Sequence, residues 1–237
     1  MHIYIYKSED EVSDHLSNYI IDNFIDNKNI ALSGGSTPIK LFKVLAKKLI
    51  NYKKINSKFY WIDERCVSIH DDESNYKSAN DNLLSKINIE IKNIYKINGD
   101  IDPKISSKIY STLLNNNLPH INNLPSLDLS ILGIGDDGHT ASIFPHDMKK
   151  FQDYNECFIA THPISKQKRI SLSKNIINNS KEIIFHVTGS KKSIIIDEII
   201  NEYNDHLSYP ASHIKPNDGK ISWYLDNDAA KNLTKNK

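Results

Sequence analysis

Residues 133–142, GIGDDGHTAS, put two aspartates and a histidine on a glycine-rich turn directly after the apolar run LDLSIL. A histidine there can take a proton from water near neutral pH, provided a neighbour fixes its tautomer. His139 is therefore a candidate general base. Asp137 is a candidate partner for its ring, and Asp136 could fill the same role. An ordinary solvated Asp-Gly turn is the plainer alternative for these ten residues taken alone. The glycines also match G-x-G-x-x-G at Gly133, Gly135 and Gly138, with Asp153 twenty residues past the first. Three features count against a dinucleotide. Pro145 follows Gly138 by only seven residues, too soon for the helix that should receive a pyrophosphate. Asp136 and Asp137 would repel that group, and the motif comes mid-chain instead of at a first strand-to-helix turn.

A second stretch, SGGSTP at residues 33–38, has the chemistry of an anion cradle. Gly34 and Gly35 let backbone amides approach closely, Ser36 and Thr37 continue the run of N–H donors, and a helix dipole behind them would favour negative charge. Thr37 is the expected helix cap and Pro38 the expected first helical residue. No Gly-Lys-Ser/Thr follows, so the loop suits a sugar phosphate better than a nucleoside triphosphate. Arg169, Lys192 and Arg65 are candidate counter-charges, although each taken singly could be a solvated surface cation. For Arg65 the alternative is an exposed ion pair with Asp63 or Glu64, worth little.

These residues need a scaffold, and the hydrophobic pattern supplies one. Strand-like runs at 2–6, 29–32, 58–63, 127–135, 157–162, 169–173, 182–189 and 221–226 alternate with helical periodicity at 9–26, 38–50, 74–87, 103–115 and 190–203. Segment 115–126 reads as a long loop. The alternation predicts a single domain over residues 1–237, an α/β fold with a mostly parallel sheet and helices on both faces. Such a fold is Rossmann-like in outline without binding a dinucleotide.

Composition excludes several classes. Thirty basic residues against twenty-nine acidic ones leave a formal charge of +1, which gives no electrostatic footprint for nucleic acid. No apolar run approaches a membrane span, and MHIYIYKSED has neither signal-peptide nor transit-peptide character. Cys66 and Cys157 are isolated, as expected of reduced thiols, and a cytoplasmic protein is the expectation. The other nine histidines, His186 among them, show no metal-ligand spacing and read as ordinary core or surface residues.

Taken in order, SGGSTP, DERCV at 63–67, SN at 74–75, LGIGDDGHTASIFP at 132–145, Arg169, G-x-x-K at 189–192 and WYLDNDAA at 223–230 resemble the 6-phosphogluconolactonase family, a relative of glucosamine-6-phosphate deaminase/isomerase. The motifs span nearly the whole chain. The resemblance implies a three-layer α/β/α sandwich, hydrolysis of a sugar-phosphate lactone in the oxidative pentose phosphate pathway, and no requirement for a metal or cofactor. Within the wider group, the deaminases carry a glutamate five residues after the histidine and Asp-Glu-Tyr in place of Asp63-Glu64-Arg65. Here the first position is Phe144. Both differences disfavour amino-sugar isomerisation, which needs repeated proton transfers. A deaminase/isomerase and a non-catalytic sugar-phosphate sensor remain as alternatives. So does the choice for Arg65 between an oxyanion and the phosphate.

Overall fold

The computed structural model describes residues 1–151 and 154–233; Asp153, the acidic position of the glycine spacing, lies outside the described residues. In chain order the elements are β1 (His2–Tyr6), α1 (Glu9–Phe24), β2 (Asn29–Leu32), α2 (Ser36–Leu49), β3 (Lys58–Trp61), β4 (Asp63–Arg65), α3 (Asn75–Asn82), β5 (Ile94–Tyr95), α4 (Pro103–Asn117), β6 (His120–Ile121), β7 (Leu124–Pro125), β8 (Leu129–Leu132), β9 (Phe158–Thr161), β10 (Lys168–Ser171), α5 (Lys174–Asn178), β11 (Glu182–Val187), α6 (Ser193–Asn201) and β12 (Lys220–Asp226).

Seven strands form the central sheet in the order β1-β12-β11-β8-β2-β3-β5, and every pairing in it is parallel. Its middle strands, β8 and β11, are buried along their whole length, as a sheet covered on both faces requires. Tyr224 of β12 packs against Tyr19 of α1 on one face, while its neighbour Trp223 shares a cavity with Ile199 and Ile200 of α6 on the other. Side chains alternate across a strand, so these two contacts define the outer layers of an α/β/α sandwich.

Two sequence expectations change here. The strands β9 and β10 do not join the central sheet. Together with β4 they make a small antiparallel sheet in the order β4-β10-β9. Only six residues connect β9 to β10, too few for the crossover that parallel pairing would need. Segment 115–126 is not a bare loop, because α4 runs on to Asn117 and β6 and β7 close an antiparallel hairpin. The segment after the Asp-Gly-His turn is a short 3-10 helix, Pro145–Phe151, and no α-helix opens at the glycines. Among the described residues, no helix is long and apolar enough to cross a membrane.

Candidate active site

Strands β2, β8 and β11 are neighbours and run parallel, so their carboxyl ends lie side by side. From β2 the chain crosses to β3 on one side, and from β8 it eventually reaches β11 on the other. That divergence opens a crevice beyond the strand ends, where open α/β sheets bind ligands. Each of the three strands delivers one loop to it: Ser33–Gly35 after β2, the Asp-Gly-His turn after β8, and the Gly189 turn after β11. One pocket is lined by Gly34, Gly35, Ser36, Thr37, Arg65, His139, Arg169 and Lys192, together with Asp63, Asn75 and His186.

The turn after β8 holds the imidazole rigidly. Asp137 Oδ1 lies 2.6 Å from His139 Nδ1 and also accepts the His139 backbone N–H at 3.1 Å. Partial burial opposes the Asp137 charge, but these hydrogen bonds and the ring's attraction outweigh it and hold the carboxyl at about 2. An ionised carboxylate only accepts, so Nδ1 carries a proton, and the tautomer this selects for a neutral ring has its lone pair on Nε2. Asp136 points elsewhere, 3.8 Å from Lys192 Nζ. The backbone closes the turn through Gly135 N–H to His139 O and Gly138 N–H to Gly135 O. Thr140 Oγ1 pins it to Gly133 O.

Gly135 matters for space, because a Cβ there would overlap the His139 ring. Gly135→Ala should therefore displace the ring and lower turnover at least about tenfold, with the fold intact by circular dichroism, since misplacing a reacting group by an ångström costs on the order of a hundredfold. Wild-type turnover in that variant would show that the ring position is not critical.

Another wall of the pocket is formed by the glycine loop and the start of α2. Helix α2 starts at Ser36 with Gly35 (φ +101°) as its cap, and no side chain caps it. Thr37 is therefore not the cap, and Pro38 lies within the first turn instead of opening it. The amides of Ser36 and Thr37 are left without an intrahelical partner and lie along the pocket. Gly34 is needed because a Cβ would overlap the Asn75 amide, which is buried and donates to the Asp63 carbonyl at 2.8 Å.

Among the described residues Arg65 forms an ion pair with neither Asp63 nor Glu64. Glu64 is buried, and its oxygens accept the N–H groups of Arg65, Asn75 and Tyr76 and the hydroxyl of Ser74, the cap of α3. Burial raises its pKa, against the pull of those N–H donors. Arg65 is thereby freed for the pocket, with Nη1 anchored on the Glu73 carbonyl at 2.6 Å.

The antiparallel register places Arg169 directly across from Arg65. The Nε of each is buried with no hydrogen-bond partner among the described residues. Like charges opposed across strands are mutually unfavourable. Burial draws the Arg169 guanidinium below its usual range; Asp63 counteracts this and Arg65 adds to it. Lys192 follows the Gly189 turn, whose N–H is held by both Asp226 carboxylate oxygens at 3.0 and 3.1 Å. Asp226 also accepts Ala229 N–H, so the WYLDNDAA segment anchors the lysine loop. Among the described residues, no group of three or more His, Cys, Asp or Glu side chains is arranged to hold a metal ion.

Residues 7–223 match the family described as glucosamine-6-phosphate isomerases/6-phosphogluconolactonase. The chain belongs to that family. Among its relatives, the 6-phosphogluconolactonase of Haemophilus influenzae is 42% identical over 209 residues, covering 86% of this chain and 87% of the relative. That of Aggregatibacter actinomycetemcomitans is 41% identical, with the same coverage of each. The crystal structure of devB protein superposes with a TM-score of 0.91 at 37% identity, covering 98% of this chain and 99% of the other.

The family description joins two chemistries, and Phe144 bears on the choice between them. It is fully buried, with the His139 ring centroid 4.9 Å away and the Arg169 guanidinium 5.7 Å from its own centroid. Both polar groups are thus referenced to one apolar ring, with no carboxylate at that position.

The sequence marks Asn75 only as part of the Ser-Asn motif and reads His186 as an ordinary core or surface residue, yet both line the pocket. In a buried strand, a histidine facing the crevice cannot be told by pattern from one facing the core. Burial lowers the His186 pKa from 6.5 to about 4. The proton thus prefers the unfolded chain. Stability from this group is complete above about pH 6.5 and is lost as pH falls toward 4, on the order of 3 kcal/mol in all. Urea unfolding at pH 7, 5.5 and 4.5 should show a shallower pH slope for His186→Phe than for wild type. Identical slopes would mean that the ring does not titrate on unfolding.

Proposed function

We propose that the protein hydrolyses 6-phospho-D-glucono-1,5-lactone to 6-phospho-D-gluconate, a step of the oxidative pentose phosphate pathway. The observation that carries this reading is the His139–Asp137 pair set against an anion wall, at the carboxyl ends of adjacent strands. A lactone is an activated ester, so an activated water suffices and no covalent nucleophile is required.

His139 Nε2 takes a proton as the water oxygen bonds to C1. Asp137 stabilises the imidazolium that forms. The carbonyl oxygen becomes an oxyanion, for which Arg65 and backbone amides are candidate donors. Collapse of this intermediate breaks the bond between C1 and the ring oxygen. That oxygen recovers the proton from His139, and the new carboxylic acid ionises into solvent. At the far end, the phosphate is received by the amides of residues 34–37, with Arg169 and Lys192 as counter-charges. Binding energy at that remote group is used to hold C1 against the base. Phe144 supports hydrolysis over amino-sugar isomerisation, because the latter would need a further acid where this ring lies.

The test is the decay of freshly generated 6-phosphogluconolactone with and without the protein, against its spontaneous hydrolysis. Accelerated decay is expected. A rate equal to the protein-free baseline would overturn the proposal, and ammonia release from glucosamine 6-phosphate would then point to the isomerase chemistry.

A further inference from the structure

His186 is the one imidazole of the pocket wall that the reaction above does not use. It lies on β11, in register with Tyr224 of β12, and therefore on the sheet face covered by α1 and α2. It is 2% exposed, and both ring nitrogens are buried without a hydrogen-bond partner among the described residues. Buried polar atoms are rarely left this way, and those that are call for an explanation such as a ligand. The ring lines the same pocket as Gly34–Pro38 and Lys192. The first turn of α2 and an unpartnered, buried donor thus converge on one space.

We propose that His186 is a binding residue of the anion end of this pocket, donating one ring N–H to an oxygen of a bound phosphate group. The inference rests on reading residues 34–37 as the phosphate end, and it adds a residue that neither the glycine loop nor the cations supply. Its chemistry complements theirs. Arg169 and Lys192 attract any anion, whereas an uncharged ring donor rewards one direction of approach and adds no charge to a site already crowded with cations. Burial keeps the free ring uncharged at neutral pH, with its pKa at about 4, which suits that role.

The experiment uses inorganic phosphate and the whole chain. In wild-type protein labelled with nitrogen-15, a ring resonance of His186, assigned through its own backbone, is followed during phosphate titration. It should shift with the same saturation curve as the Ser36 and Thr37 amides. In parallel, His186→Phe keeps the ring shape without nitrogens, and His186→Gln keeps a donor. The phosphate Kd should weaken about tenfold in the first and recover at least partly in the second, as loss of a hydrogen bond to a charged group predicts. For the phosphorylated lactone, KM should rise by a similar factor, with kcat within about twofold. A His186 resonance that ignores saturating phosphate, or a folded His186→Phe with wild-type phosphate Kd, overturns the inference. The wild-type titration decides alone if neither variant folds. Because phosphate binding is read without turnover, failure of lactone hydrolysis would count against the proposed reaction and not against His186.

Discussion

Replacing His139 with alanine is expected to lower kcat for lactone hydrolysis by about 10²–10⁴-fold while KM moves by less than about threefold. The split follows from where the ring is held. Its proton-bearing Nδ1 is taken by Asp137 at 2.6 Å, so only Nε2 is free to accept a proton. An interaction made as water attacks is absent from the ground state, and its loss appears in kcat. Asp137→Asn should fall nearly as far with the ring still present, because an amide can donate to Nδ1 and so force the wrong tautomer. Asp136→Asn should stay within about threefold of wild type, since that side chain faces Lys192. Steady-state kinetics on the fresh lactone, corrected for spontaneous decay, checks all three. A His139→Ala enzyme with wild-type kcat would remove the general base from the mechanism.

Arg169→Met is expected to raise KM for the phosphorylated lactone about tenfold to a hundredfold, the loss of a charge-assisted contact to phosphate. Its effect on the empty protein should run the other way. Arg169 faces Arg65 across two strands, and the Nε of each lacks a partner among the described residues. Methionine preserves much of the apolar stem while removing one of the two opposed charges. Thermal unfolding without ligand should therefore be unchanged or raised, while the upward shift produced by inorganic phosphate should shrink. A variant with wild-type KM, or one whose apo Tm drops by many degrees, would make Arg169 a structural residue and not a ligand contact.

Much of this scaffold was readable from hydrophobic spacing. The strand at 29–32, the helix behind SGGSTP and the late strand ISWYLD depend on local periodicity, and they fold at or close to where the pattern puts them. The Asp-Gly-His turn was equally legible, because a dyad two residues apart on one turn is a local object. What escaped depends on distant partners. No local pattern tells that Arg65 and Arg169, more than a hundred residues apart, share a register. The helix start moved from Pro38 to Ser36 because Gly35 itself adopts a backbone conformation that suits glycine, making a side-chain cap unnecessary. Glu64 looked like a surface counter-ion, yet it is buried and accepts from the start of α3, which required knowing that Ser74–Tyr76 fold back onto it. The choice between Asp136 and Asp137 needed the turn's actual course.

The position of β12 has a consequence for synthesis on the ribosome. This late strand lies between β1 and β11, and β1 pairs with nothing else in the sheet. About 200 residues separate Tyr6 from Lys220, so β1 must wait, unpaired, while that whole stretch is made. Asp226, which fixes the Gly189 turn behind Lys192, arrives later still. A nascent chain stalled before residue 220 would hold the Asp-Gly-His turn but lack both the edge of its sheet and the anchor of its lysine loop. Completion of the sheet and completion of the pocket are therefore one event, set by the arrival of β12, and products stalled before it should be incompetent in binding as well as in folding.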